Sequence, residues 1–276
     1  MRDLRPARAR RKRWEHFEYE ELDGVATLSF SRPERLNSLT FEVYADIRDL
    51  TRELRERGGE VRVLVIRGKG QGFCSGGDVD EIIGELLKRD VRDVYEFAHM
   101  TGECVRNLRE MPQPVIAAVN GVAAGAGAVL AAASDIRVLA TSASFRFLFT
   151  SVGLSGGDMG ICWLLPRIIG SGRATEALLL GGKINSQEAL SWGLASKVVD
   201  DTQLDAAVAE YVAQLKGLAP WGLAMTKEMI NRSASSDYST AIEMEAFTQS
   251  LLMTADDFRE FHAGFTGKRK PEFHGR

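Results

Sequence analysis

Apolar and amphipathic stretches follow one another along the first 200 residues of the chain. The apolar runs that predict strands lie at 24–30, 61–68, 114–121, 135–140 and 195–200. The runs at 61–68 and 114–121 are almost continuously apolar, which is typical of strands buried on both faces. Strands that recur with helical stretches between them predict an α/β fold built from stacked repeats.

One helix is predicted with particular clarity, over residues 40–57. Its apolar positions recur at helical spacing, and Gly58 and Gly59 end it. The positions on this apolar face are Phe41, Tyr44, Ile47, Leu50 and Leu54.

The chain divides into three regions on this pattern. Residues 1–13 form a basic extension, residues 14–200 carry the strand–helix repeats, and residues 201–276 are helical and amphipathic without a further strand. Such a helical region often packs on a neighbouring subunit.

Composition narrows the class of protein. The chain has 276 residues, is 45% hydrophobic and has a net charge of −3, as expected of one large globular domain with an appended region. No window is apolar enough for a membrane helix. Three cysteines without a CxxC motif, and four scattered histidines, predict neither disulfides nor a metal site. We therefore expect a reducing, cytoplasmic setting.

The basic extension holds seven basic residues and one acid within residues 2–13. A nucleic-acid-binding arm or an arm for another anionic surface is one interpretation. A solvated extension is the interpretation that we favour.

Two glycine-rich turns, at 72–82 and 120–130, each follow a predicted strand and precede a helix. The first amides of a helix have no intrahelical partner, and the helix dipole favours negative charge at that end. Two such turns that converge would hold an anion or a developing oxyanion. Neither turn matches a nucleotide-binding loop in its spacing.

Five segments together resemble the enoyl-CoA hydratase/isomerase family, the crotonase superfamily, in its order and approximate spacing. They are RPERLNSL (32–39), GFCSGGD (72–78), PVIAAVNGVAAGAG (114–127), ASDIRV (133–138) and FTGKRKPEF (265–273). The resemblance covers about residues 14–276. It implies an α/β spiral of ββα repeats with a helical trimerisation region, in a homo-trimer or a dimer of trimers.

The resemblance also implies a coenzyme A thioester as substrate, with no further cofactor. The two backbone amides that bind the thioester oxygen in the family match Gly77 and Ala126. Arg35 and Leu36 would lie along the nucleotide part of coenzyme A. Phe265 and Lys268 of a neighbouring subunit would touch the adenine end, although Lys268 is equally well explained as a solvated lysine.

Many hydratases of the family resemble one another in carrying two catalytic glutamates. The corresponding positions here are Val129 and Phe149. The absence of both carboxylates puts a two-glutamate hydration in doubt.

Asp158, in GLSGGDMG (153–160), is the nearest replacement. The dienoyl-CoA isomerase branch resembles this segment in carrying an aspartate there, with a loop one residue shorter. An aspartate in an apolar acyl pocket would have a raised pKa and could transfer protons near neutral pH. The alternative is an N-cap for a helix beginning near Met159.

Aromatic residues near Asp158 could line the acyl pocket. Phe145, Phe147 and Phe149 alternate as on one face of a strand. With Trp163 they could form an apolar wall, or they could belong to the core. Asp78 and Asp135 are expected to be structural.

These observations predict an acyl-CoA enzyme in which Asp158 alone serves as acid and base for double-bond isomerisation or hydration. A thioester hydrolase or decarboxylase on the same fold is the alternative. A non-catalytic RNA- or anion-binding protein that uses the basic extension is the rival from another class.

Overall fold

The computed structural model describes residues 14–57 and 59–276. The basic extension at residues 1–13 lies outside these residues. The helices are α1 (Phe41–Arg57), α2 (Gly84–Leu86), α3 (Val91–Glu110), α4 (Ala126–Ala133), α5 (Ile161–Ile169), α6 (Ser171–Leu180), α7 (Ser186–Ser191), α8 (Leu204–Lys216), α9 (Pro220–Ser233), α10 (Tyr238–Leu252) and α11 (Asp256–Thr266). The strands are β1 (Glu18–Leu22), β2 (Val25–Phe30), β3 (Val63–Gly68), β4 (Gly72–Cys74), β5 (Val115–Val119), β6 (Val122–Ala124), β7 (Ile136–Ala140), β8 (Ser144–Arg146), β9 (Ile184–Asn185) and β10 (Lys197–Val199).

The strands form two sheets that share the same repeats. A six-stranded sheet has the order β1-β2-β3-β5-β7-β10, and a four-stranded sheet has the order β4-β6-β8-β9. Three successive strand pairs, β3 with β4, β5 with β6 and β7 with β8, each place the longer strand in the large sheet and the three-residue strand in the small one. This is a ββα spiral, as the resemblance implies, and the sequence pattern had located only the longer strand of each pair.

The strands β3 and β5 of the large sheet are buried on both faces, as their apolar runs predict. Leu64 and Ile66 of β3 face the main core, which also contains the small sheet and α1. Val63 and Val65 face a second core under α8. A continuous apolar run therefore fills two cores at once, since successive side chains point to opposite faces.

The C-terminal helices follow the predicted helical pattern, because the described chain has no strand after β10. The buried Lys227 of α9 ties them to the core: its Nζ lies 2.7 Å from Asp135 Oδ2 and donates to the Leu108 carbonyl at 2.8 Å. Asp135 also accepts the Val115 amide at 2.8 Å, which is the structural role expected of it. The boundary at residue 200 stays a prediction.

No helix within the described part of the chain is both long and apolar enough to span a bilayer.

Candidate active site

The first glycine-rich turn follows β4 and is held by the segment that precedes α1. The Leu39 amide donates to the Gly76 carbonyl at 2.8 Å, and the Asp78 amide donates to the Leu39 carbonyl at 2.9 Å. Backbone groups of successive residues point to opposite sides of an extended chain. The Gly77 amide therefore points away from this segment, and it donates to no group within residues 14–57 and 59–276.

The second turn joins β6 to α4. Gly125 precedes the helix with φ +50°, and its amide donates to the Arg146 carbonyl at 2.9 Å. Ala126 is the first residue of α4, so its amide has no intrahelical partner. Among the described residues we find no acceptor for it.

The two turns are packed against each other, backbone to backbone. A Cβ on Gly76 would lie 2.9 Å from the Ala124 carbonyl oxygen and 3.4 Å from the Ala126 nitrogen. A Cβ on Gly127 would lie 2.7 Å from Cys74 Cβ and closer still to the Cys74 carbonyl oxygen. Only glycine permits this approach, which brings the Gly77 turn and the start of α4 to one place.

Asp78, next to Gly77, has a structural role. Its carboxylate accepts the amides of Asp80 and Glu81 at 3.1 Å and the Ser38 hydroxyl at 2.8 Å. Burial opposes its ionisation, but these hydrogen bonds outweigh burial and hold the pKa of Asp78 below its usual value. The five residues that it caps, Val79–Ile83, form a π-helical turn.

Asp158 is half-buried in the turn before α5. Burial raises the pKa of its carboxyl, and a hydrogen bond from the Met159 amide only partly opposes that shift. The N-cap interpretation is wrong, because α5 begins at Ile161 with Gly160 as its N-cap and no side-chain cap. Asp158 instead contributes its backbone carbonyl, which accepts the Ile161 amide at 3.0 Å.

The backbone after Asp158 is strained. Met159 is buried and has φ +52°, and Gly160 has φ +82°. The left-handed region is unfavourable for a side chain as large as methionine. This backbone path leaves the Asp158 side chain free of any capping role.

Tyr44 is a residue that the sequence pattern assigned only to the apolar face of α1. Its side chain is 3% exposed, and its hydroxyl lies 3.8 Å from the place that a Cβ of Gly77 would occupy. Burial raises the pKa of Tyr44 well above its usual value, and nearby negative charge, including that of Asp158, adds to the shift. In the sequence, the available signal was that Tyr44 has a polar hydroxyl although it lies among apolar residues on one face of α1.

The chain is similar to known acyl-CoA enzymes over almost its whole length. The family model described as enoyl-CoA hydratase/isomerase matches residues 20–276.

The chain belongs to the enoyl-CoA hydratase/isomerase family.

Individual relatives of this enoyl-CoA hydratase/isomerase family member cover it almost completely. It is 37% identical over 253 residues to the 1,2-epoxyphenylacetyl-CoA isomerase of Escherichia coli K12, covering 92% of this chain and 96% of that one. It is 35% identical to a Rhodobacter capsulatus protein named "Probable enoyl-CoA hydratase", with 94% and 97% covered. The crystal structure of a candidate enoyl-CoA hydratase from Streptomyces coelicolor A3(2) superposes with a TM-score of 0.96 at 49% identity, over 100% of both chains. The crotonase-like α/β fold and an enzyme of this family are thereby established.

The two positions expected to match the family's glutamates, Val129 and Phe149, hold buried apolar side chains. Val129 is fully buried in α4, and Phe149 is 6% exposed. The strand predicted through the three phenylalanines is wrong beyond β8, because Phe149 lies in a 3₁₀ turn over Leu148–Val152. Phe145 and Phe147 are fully buried in the main core.

Trp163 of this family member lies on α5 and is 41% exposed, with the Arg167 guanidinium 4.0 Å from its ring centroid. The acyl-pocket role of Trp163 stays a prediction, as do those of Val129 and Phe149.

The residues expected to contact coenzyme A lie in two separate places. Arg35 is exposed, 3.5 Å from the Asp80 carboxylate, and the Leu36 carbonyl accepts the Ser75 amide of the first turn at 2.9 Å. Phe265 and Lys268 lie at the exposed C-terminal end of α11. Contacts of all four with coenzyme A stay predictions.

Two of the three cysteines, Cys74 and Cys104, are buried in this family member. Burial raises the pKa of Cys74 and of Cys104 to about 12, so both thiols stay protonated near neutral pH. The described residues contain no cluster of three potential metal ligands.

Proposed function

We propose that the enzyme moves a double bond along an acyl-CoA thioester, with Asp158 as its single acid and base. The amides of Gly77 and Ala126 would bind the thioester oxygen. The observation that carries this proposal is the pair of unpaired amides on two turns in backbone contact. Preorganised donors of this kind stabilise an enolate oxygen by about 2.7–4 kcal/mol each in comparable sites.

The chemistry needs only one carboxylate. Asp158 removes a proton from C2 of a 3-enoyl-CoA, and the electrons of that C–H bond extend into a dienolate whose charge lies on the thioester oxygen. The same carboxyl returns the proton to C4, so the double bond moves to C2–C3 and the mass is unchanged. A raised pKa brings Asp158 nearer to the value that suits a group that must both accept and donate a proton.

Isomerisation fits the environment better than hydration does. A hydratase must also position a water molecule, and the two places where the family's hydratases carry glutamates hold the apolar Val129 and Phe149. The names of the relatives include both an isomerase and a hydratase, so the assay must separate the two reactions.

Binding of the rest of the substrate follows from the same geometry. Arg35 would pair with a phosphate of coenzyme A, since Leu36 next to it is bonded to the Gly77 turn. Phe265 and Lys268 would contribute from a neighbouring subunit. The large apolar side chains exposed on α9, α10 and α11 favour a homo-trimer or a dimer of trimers; they include Trp221, Ile230, Phe247, Phe258 and Phe261.

The test is to incubate the protein separately with a 3-enoyl-CoA and a 2-enoyl-CoA and to follow mass, isomer and free coenzyme A. Wild-type protein should convert the 3-enoyl to the 2-enoyl compound at constant mass. Asp158→Asn should lose roughly 1,000-fold of this rate, within the range for general acid–base groups. Asp205→Asn, an exposed aspartate of α8, is the matched control and should behave as wild type.

Other outcomes would point elsewhere. A gain of one water on the 2-enoyl substrate would make the enzyme a hydratase despite its missing glutamates. Release of free coenzyme A would indicate a thioester hydrolase, and loss of CO₂ from a malonyl-type thioester would indicate a decarboxylase. Steep salt-dependent RNA binding that requires residues 1–13, without turnover, would favour the binding role.

A further inference from the structure

The side chain of Tyr44 is held rigidly beside the Gly77 turn. Its ring packs edge-on against Phe97, with centroids 5.5 Å apart, and the Cys104 thiol donates to the Tyr44 carbonyl at 3.2 Å. These contacts fix both the backbone and the ring of Tyr44. The hydroxyl is thereby held beside Gly77, 3.8 Å from the position that a Cβ would occupy there.

The Tyr44 hydroxyl has no hydrogen-bond partner among the described residues, although its side chain is almost fully buried. Among the described residues, the side-chain polar atoms that are sealed from solvent without a partner are Gln113 Oε1 and Asn120 Oδ1. The Tyr44 hydroxyl is not one of them, so it keeps some contact with open space. The described residues therefore give this oxygen no partner, whereas a ligand atom bound at the Gly77 amide would.

We propose that Tyr44 is a catalytic residue whose hydroxyl donates a hydrogen bond to the thioester oxygen bound at Gly77, and so adds a side-chain donor to the two backbone donors. This role rests on the proposed function. The bond would strengthen as charge develops on that oxygen in the dienolate, so it would act on the chemical step more than on binding.

Two features suit the phenol to this role. Its raised pKa keeps it protonated throughout the pH range in which Asp158 ionises, so it can donate while the carboxylate accepts. It also lies on α1, a rigid 17-residue helix, whereas Asp158 lies in a turn. A preorganised donor on a rigid element needs little rearrangement during the reaction.

The variant Tyr44→Phe removes only the oxygen. We expect kcat to fall roughly 100-fold, as when one oxyanion donor is lost, with KM little changed and the thermal stability kept. The matched control is Tyr19→Phe, which removes a hydroxyl bonded to Glu21 at 2.6 Å on the surface strand β1 and should leave kcat unchanged. An unchanged kcat in Tyr44→Phe would overturn the proposal.

A spectroscopic readout separates this role from an indirect one. A saturated acyl-CoA labelled with ¹³C at the thioester carbonyl cannot isomerise, and its carbonyl stretch should shift to lower frequency on binding wild-type protein. The shift should be smaller in Tyr44→Phe. A full shift in Tyr44→Phe, with an acid limb of the pH–rate profile displaced from that of wild type, would mean that Tyr44 acts through Asp158, and would overturn the proposal.

Failure of the proposed function itself has a different signature. In that case wild-type protein would neither isomerise any enoyl-CoA nor shift the carbonyl stretch, and the role of Tyr44 would fall with it. Wild-type turnover combined with a fully active Tyr44→Phe would overturn the role of Tyr44 alone.

Discussion

The turns that hold Gly77 and Ala126 and the turn that carries Asp158 would serve the same substrate, yet they are made in different ways. The first two meet through glycine backbones in contact with carbonyl and Cβ atoms of the neighbouring strand, and they offer only main-chain amides. The third has two glycines with open space around them, Gly153 and Gly160, but Gly156 contacts the Leu178 carbonyl as closely as the glycines of the first two turns contact theirs. It also has a strained Met159 and one carboxyl side chain. Close backbone packing fixes the proposed donors, whereas the proposed acid and base lies on a turn shaped by left-handed backbone at Met159 and Gly160.

The largest effect should come from filling the contact between the first two turns. Gly127→Ala would force a methyl group into Cys74, on backbone and side chain alike. We expect the free energy of unfolding to fall by roughly 3 kcal/mol or more, at the upper end of overpacking effects, with loss of activity. Urea denaturation would measure the change.

Gly102→Ala is the control for that variant, because a Cβ at Gly102 in α3 meets nothing within 4 Å. It should stabilise the protein by about 0.5–1 kcal/mol through helix propensity. Equal stability of the two variants would show that the turns tolerate side chains, and the contrast with the Asp158 turn would fail.

A sharper but smaller change removes one proposed donor at the start of α4. Ala126→Pro deletes the amide hydrogen at the first position of α4, where proline is well accommodated because its φ matches the helix. We expect kcat to fall roughly 100- to 1,000-fold. Circular dichroism and acyl-CoA binding would verify that the variant is folded, and full activity in a folded Ala126→Pro would exclude this amide as a donor.

The smallest effect concerns the stability of the Asp158 turn. Burial raises the pKa of the folded carboxyl above its unfolded value, so the folded state binds more protons between these two values. Stability is therefore reduced above the folded pKa and restored as the pH falls to about 4. Asp158→Asn should melt at a higher temperature than wild type at pH 7, and the difference should vanish near pH 4. Activity should follow the opposite direction, since the base is lost as the pH falls through the same pKa.

A lower melting temperature of Asp158→Asn at pH 7 would contradict this account. It would indicate that the interactions of the carboxylate outweigh the cost of its burial, and the contrast between the packed donor region and the proposed acid would then weaken.

The fold was predictable where apolar runs were long. The apolar run at 61–68 is eight residues long, which is too long for a turn, and it correctly predicted β3. The strands β4, β6 and β8 have only three residues each, which is too short for a hydrophobic pattern to be recognised. The alternation at Phe145, Phe147 and Phe149 indicated one strand, yet the last of them packs in a 3₁₀ turn. Alternating phenylalanines can therefore all be buried even where the backbone leaves the extended conformation.

The parts of the candidate site that are made of backbone in recognisable motifs could be predicted from the sequence. Gly77 and Ala126 lie on turns that the glycine-rich sequence predicts, and the structure brings those turns together. The Asp158 cap was misjudged, because residue types alone do not reveal that the chain passes through left-handed conformations at Met159 and Gly160. Tyr44 was assigned to the core because its place in the helical stripe predicts burial correctly but cannot predict that its oxygen lacks a partner.

The proposed use of main-chain amides at Gly77 and Ala126 has a consequence for how such a protein can evolve. A main-chain donor survives any substitution at its own position that fits the backbone, except proline. The proposed capacity to polarise a thioester would therefore persist through changes in other side chains, as long as the closely packed Gly76 and Gly127 are kept. Positions 129, 149 and 158 can meanwhile exchange carboxylates for apolar groups without dismantling that capacity. Descendants of one ancestor can thereby acquire different reactions by a few side-chain replacements, while inheriting an unchanged means of activating the same thioester group.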